Sequence, residues 1–112
     1  MSDLSVAAAK IAKEILAGAA GKGGNVWAKI EKSTTFHVRA YSTLLVDVAA
    51  GVAAGDITKK EGKMLVDNGR FLLFQGIANT TQVLLTEVQS FLNSVLNALK
   101  GAINARLPIP LL

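Results

Sequence analysis

Gly55, Gly62, Gly69 and Gly76 fall seven residues apart. A repeat of seven keeps to one stripe of an α-helix, because two helical turns span about 7 residues. Inside a helix each glycine costs about 1 kcal/mol relative to alanine. Glycines at 62, 69 and 76 therefore cost roughly 3 kcal/mol together, a large share of a domain's net stability. The cost is tolerable where the missing side chains let another backbone approach closely. The register thus predicts a helix through Gly62, Gly69 and Gly76, packed tightly on a neighbour. The expected neighbour is the small-residue stretch Ala49-Ala50-Gly51-Val52-Ala53-Ala54, reached through a turn at Gly55.

The turn is the clearest punctuation in the chain. Gly55 suits the position just past a helix C-terminus. Thr58 followed by Glu61 reads as a capping box, in which the hydroxyl accepts from the N3 amide and the carboxylate reaches back. A helix is then expected from Lys59 toward Asn104, which at 1.5 Å per residue would span about 65–70 Å. Pro108 and Pro110 stop it, leaving an extended apolar tail, Leu107-Pro108-Ile109-Pro110-Leu111-Leu112.

Before the turn, Phe36, Ala40, Tyr41, Leu44, Leu45, Val48 and Val52 mark one broad helical face. A shorter helical piece covers Val26 to Lys32, with Ser33, Thr34 and Thr35 as a kink or new cap. At the N-terminus, Ser2 or Asp3 can cap a helix carrying Leu4, Ala7, Ala8, Ile11, Ile15 and Leu16. Lys10 and Glu14 form an i,i+4 pair on its other side. The glycine-rich stretch from Gly18 to Asn25 ends that helix as a hinge. The expected fold is all-α: a helical hairpin of two long helices, preceded by a short N-terminal helix on a Gly-rich hinge. The single domain divides into 1–25, the N-terminal helix and hinge; 26–106, the hairpin; and 107–112, the tail.

Hydrophobic residues make up 51% of the 112 and charged residues 18%, with a mean hydropathy of +0.41. Soluble domains usually carry about 25% charged residues. So apolar a chain of this length is expected to bury surface against other copies, a partner or lipid. The net charge of +4 and pI near 9.6 permit contact with anions without demanding it. The pattern argues against nucleic acid as a partner, because Trp27 and Tyr41 stand apart from any basic cluster. There is no cysteine from which to read a redox compartment. The acidic start Met1-Ser2-Asp3 gives no evident signal peptide, so localisation is left open.

Residues 71–99 hold a single charge, Glu87. Their apolar positions form two seams, Leu84, Val88, Phe91 and Val95 beside Leu85, Leu92, Leu96 and Leu99. Two seams imply two neighbours, in a bundle or an array. The remaining positions are mostly uncharged amides and hydroxyls, suited to a subunit contact, a lumen or a pore wall. They are too polar for a solitary membrane span. An oligomeric pore with its polar stripe facing water is a further reading, and the first eighteen residues offer at most a weak surface-lying helix.

Other candidates are few. Lys59, Lys60 and Lys63 crowd the first turn of a helix, where the dipole disfavours cations, and are a candidate anion contact. His37 is the one histidine, with no second ligand at a metal-binding spacing. Gly21-Lys22-Gly23-Gly24 lacks the spacing of a phosphate loop. No catalytic pair, cofactor site, metal site or small-molecule substrate is evident. The expectation is a non-enzymatic assembly subunit, a homo-oligomer in a ring, tube, filament, virion or conduit. Its interfaces would be Gly55, Gly62, Gly69, Gly76, the two seams and the docking tail. The alternatives are a membrane-active or pore-forming protein and a small adaptor for a protein partner.

Overall fold

The computed structural model describes residues 3–22 and 24–112. Every regular element among them is an α-helix: α1 (Asp3–Lys22), α2 (Asn25–Ala53), α3 (Lys59–Thr81) and α4 (Leu85–Asn104). Each helix neighbours the next, α4 returns to α1, and α1 and α3 do not meet. The result is a four-helix bundle measuring 42 × 24 × 23 Å. Its long axis matches α2, whose 29 residues at about 1.5 Å each span about 43 Å.

Three boundaries differ from those the sequence suggests. The first helix continues through Gly18 and Gly21 to Lys22. Close packing explains this at Gly18, where a Cβ would stand 2.6 Å from Cδ1 of Leu99 on α4. Gly24 precedes α2 with a φ of 87° and a ψ of −163°, a region essentially restricted to glycine. Ser2 and Gly23 lie outside the described residues. Glu14 pairs with Arg106 near the C-terminus, Nη2 to Oε1 at 3.0 Å, rather than with Lys10.

The second difference is at Ser33-Thr34-Thr35, where α2 runs on without a break. Ser33 and Thr34 are buried in the bundle. Thr35 donates its hydroxyl to the carbonyl of Glu31 at 3.2 Å. A hydroxyl bonded within its own helix no longer competes for the backbone, while Ser33 and Thr34 have no such bond and are held helical by packing in the bundle.

The third is the largest. The expected helix from 59 to 104 is divided at Gln82-Val83-Leu84, giving four helices of similar length instead of a long hairpin and a short helix. Thr80 and Thr81 turn their hydroxyls back onto the carbonyls of Gly76 and Ile77, both at 2.7 Å. Gln82 then takes a left-handed conformation, φ 65°, and closes α3 with its N–H on Ala78 O at 2.9 Å. That conformation costs about 1–2 kcal/mol for a residue with a Cβ. Folding back offsets it by burying Val88, Leu92, Val95 and Ile103, each worth about 1.5–3 kcal/mol.

The buried hydroxyls of Ser33, Thr34, Tyr41 and Ser42 have no hydrogen-bond partner among the described residues, and the phenol of Tyr41 is the one that titrates. Tyr41 belongs to the buried core. Burial pushes its phenol well above the usual 10.0, with Arg70 opposing and Asp67 adding to the rise. The unfolded chain therefore releases this proton first. The stabilisation is complete below pH 10.0 and is lost as pH rises above it, by about 1.4 kcal/mol per pH unit. Tyr41→Phe is expected to remove that loss. Urea unfolding of the two proteins should give a stability difference that is flat at neutral pH and shifts in favour of the variant at alkaline pH.

Candidate interaction surfaces

The glycine stripe of α3 lies against α2. A Cβ at Gly62 would stand 2.8 Å from Cγ2 of Val52 and 3.2 Å from Cγ1 of Val48. One at Gly69 would overlap Cδ2 of Leu44, and one at Gly76 would stand 2.6 Å from Cε1 of His37. The pairings run in opposite directions along the two chains, so α2 and α3 are antiparallel with the glycines at their seam. Gly55 sits in the turn at φ 82°. Thr58 and Glu61 complete the capping box, Glu61 N–H to Thr58 Oγ1 at 3.1 Å and Thr58 N–H to Glu61 Oε1 at 2.9 Å. Hydrogen bonds from the Thr58 backbone and side chain hold the Glu61 carboxyl below its ordinary pKa.

Both seams of α4 turn inward. Val88, Leu92, Val95 and Leu96 are buried, and Leu85, Phe91 and Leu99 are half-buried against them. The Phe91 ring lies 6.3 Å from that of Trp27 at the start of α2. Leu84 alone of the eight is well exposed, at the corner between α3 and α4. The main neighbours of this helix are thus the chain's own α1 and α3, with a smaller contact to α2.

The tail docks on its own chain. The Asn104 side chain accepts the N–H groups of Leu111 and Leu112 at 3.2 and 3.0 Å and donates to Leu112 O at 2.9 Å. This clamp turns Leu107 and Leu111 into the bundle. Leu111 reaches the α2–α3 seam, its Cδ2 lying 3.5 Å from where a Gly62 Cβ would be. Ile109 is half-buried, while Pro108 and Pro110 face outward.

Lys59, Lys60 and Lys63 are exposed on the first turns of α3, with no ion pair among the described residues. His37 is half-buried with its ring against Gly76. No group of three His, Cys, Asp or Glu among the described residues could hold a metal ion. No helix among them is long and apolar enough to cross a membrane.

Two surfaces escape a reading based on periodicity. The first is the outward face of α3, where Met64, Leu65, Phe71 and Leu72 are exposed. The sequence does carry their signal, since Met64 and Phe71, like Leu65 and Leu72, are seven apart. The second is a groove of about 880 Å³ between α1 and α2. Its α1 wall includes Ala9, Ala12 and Ala17, and its α2 wall includes Glu31, Thr35 and Arg39. Phe36, assigned by its spacing to the buried face of α2, is instead 73% exposed, and Ala40 is exposed beside the cleft between α2 and α3. The apolar face of α2 is rotated toward Val38, Ser42, Val46 and Ala49 because α2 must contact α1 as well as α3.

The chain matches no family model, no curated protein and no solved structure. Its surfaces are therefore the basis for any functional reading.

Proposed function

We propose that this protein is a non-enzymatic structural subunit that self-associates into a larger helical complex, such as a ring, tube, filament, virion or conduit. The observation that carries this reading is the outward face of α3. Met64-Leu65 and Phe71-Leu72 stand at equal distances on either side of Asn68, so the patch is matched to itself when α3 meets a second α3 antiparallel. Two-fold contacts require that kind of self-complementarity.

Charge supports the same arrangement. Lys59, Lys60 and Lys63 crowd the positive end of their own helix dipole, at about 0.3–1 kcal/mol each when exposed. In an antiparallel pair they lie beside the C-terminal half of the second α3, which has no basic residue in its last turn. The negative end of that helix relieves them.

The four side chains are about half exposed, so at roughly 200 Å² for a large side chain they offer about 400 Å² of apolar surface. A stable interface buries about 800 Å² per partner. The α3 face alone therefore supports a weak contact, and a durable assembly draws on a second face. Replacing Leu65 and Leu72 by serine tests the reading by sedimentation velocity. The variant is expected to keep its helical circular dichroism and melting temperature but to lose the largest species. An unchanged distribution of masses would contradict it.

A further inference from the structure

We infer that the groove between α1 and α2 is a second self-association face, occupied by α2 of another copy of this chain in antiparallel two-fold contact. The inference rests on the reading of the chain as a self-associating subunit and names its second contact. A bundle of antiparallel helices has a groove between each neighbouring pair, but this one is widened by what lines it. Ala9, Ala12 and Ala17 put small side chains on the α1 wall beside Leu4, Lys13 and Leu16, and the cavity reaches about 880 Å³. It extends from Leu4 to Ala20 on α1 and from Trp27 to Asp47 on α2, about 24 Å and 30 Å at the helical rise. That is the length of a helix, not of a compact small molecule.

Charge identifies which helix fits. Glu31 and Arg39 line the groove four residues on either side of Thr35. Neither has an ion-pair partner among the described residues. With Thr35 on a two-fold axis, antiparallel α2 helices bring Glu31 of each copy beside Arg39 of the other. One rotation makes two reciprocal ion pairs, and a parallel arrangement makes neither. The interlocked geometry places each α2 in the groove of the other copy. It also carries the outer side of α2, where Phe36 is 73% exposed, toward the alanine wall of the second copy's α1. A protruding ring against the alanine positions of that wall is the knob and hole that such helix packing needs.

The consequence reaches beyond a dimer. The α3 face and the α1–α2 groove lie on different sides of the bundle, because α1 and α3 do not touch. Two separate two-fold contacts, used alternately, link subunits into an open chain instead of a closed pair.

The test separates the two contacts. In a Leu65→Ser/Leu72→Ser background the α3 contact is removed, and the groove contact is expected to leave a dimer. There, Glu31→Arg and Arg39→Glu singly place like charges together and should each raise the dimer dissociation constant about tenfold. The double exchange restores both pairs and should return it to near the background value. Phe36→Ser should weaken the dimer whichever charges are present. A background protein that stays monomeric, charge variants that dimerise alike, or a double exchange without recovery would each overturn the groove contact. If the unmodified protein still assembles in those cases, the reading built on α3 survives. A monomeric unmodified protein would remove both.

Discussion

Asn104→Ala is expected to lower stability by about 2–3 kcal/mol. The side chain makes three hydrogen bonds to the backbone of Leu111 and Leu112, worth about 1 kcal/mol each. Its loss also frees Leu111 from the α2–α3 seam, and burying one leucine contributes about 1.5–3 kcal/mol. Partial exposure of the clamp and residual docking through Leu107 keep the total below the sum of these parts. In a domain of this size about 1 kcal/mol moves the melting temperature by about 4 °C, so a fall of about 10 °C should be seen by calorimetry. Asn104→Asp keeps the acceptor for both N–H groups and loses only the donor to Leu112 O. It should fall between the wild type and Asn104→Ala. Equal losses for the two variants would show that the amide does not act through these bonds.

The glycines of this chain should respond to alanine in opposite directions. At Gly101 a Cβ meets nothing within 4 Å, so Gly101→Ala is expected to stabilise α4 by about 1 kcal/mol. At Gly62 the same methyl meets Val52 and Val48. Both are β-branched and stiff at χ1, and Gly62 is buried, so neither side can yield. Overpacking costs about 1–3 kcal/mol, which outweighs the gain in helix propensity. Gly62→Ala should therefore destabilise by up to about 2 kcal/mol. Gly69→Ala clashes with the far end of Leu44 and otherwise meets Tyr41 at ordinary contact distance; Leu44 can swing toward the small cavity beside Leu72, so the effect should be milder. Chemical denaturation of the three variants gives their order directly, and a stabilised Gly62→Ala would mean that the helices at this seam are further apart.

The parts of the fold written in local chemistry were legible from the residues. The Thr58–Glu61 box and the Gly55 turn depend on side chains a few positions apart, and both stand where the spacing puts them. The corner at Gln82 was not legible, because it depends on what α4 gains by folding back. No glycine or proline marks it, and the local signal is confined to Thr80 and Thr81 bonding back to Gly76 and Ile77. The continuation of α1 through Gly18 has the same origin, since Leu99 on another helix fills the space a side chain would take.

The candidate surfaces divide along the same line. The seams of α4 and the glycine stripe were visible as periodicities, but whether they face the chain's own helices or another copy is decided only by tertiary packing. Phe36 shows the limit of periodicity. It sits one position from His37, which faces Gly76, yet it points out of the bundle. The α3 pairs at 64–65 and 71–72 were obscured because Val66, Leu73, Phe74 and Ile77 nearby are buried. A helix apolar on most of its circumference does not disclose which side has no partner.

The measurement that tests the central claim most directly is the mass of the unmodified protein by light scattering behind a sizing column, from micromolar to millimolar concentration in detergent-free buffer. Self-association through α3 and the α1–α2 groove predicts a mass that rises with concentration beyond that of a dimer. A mass fixed at 11.7 kDa across that range would contradict the account and leave a monomeric bundle whose apolar α3 face serves a different partner.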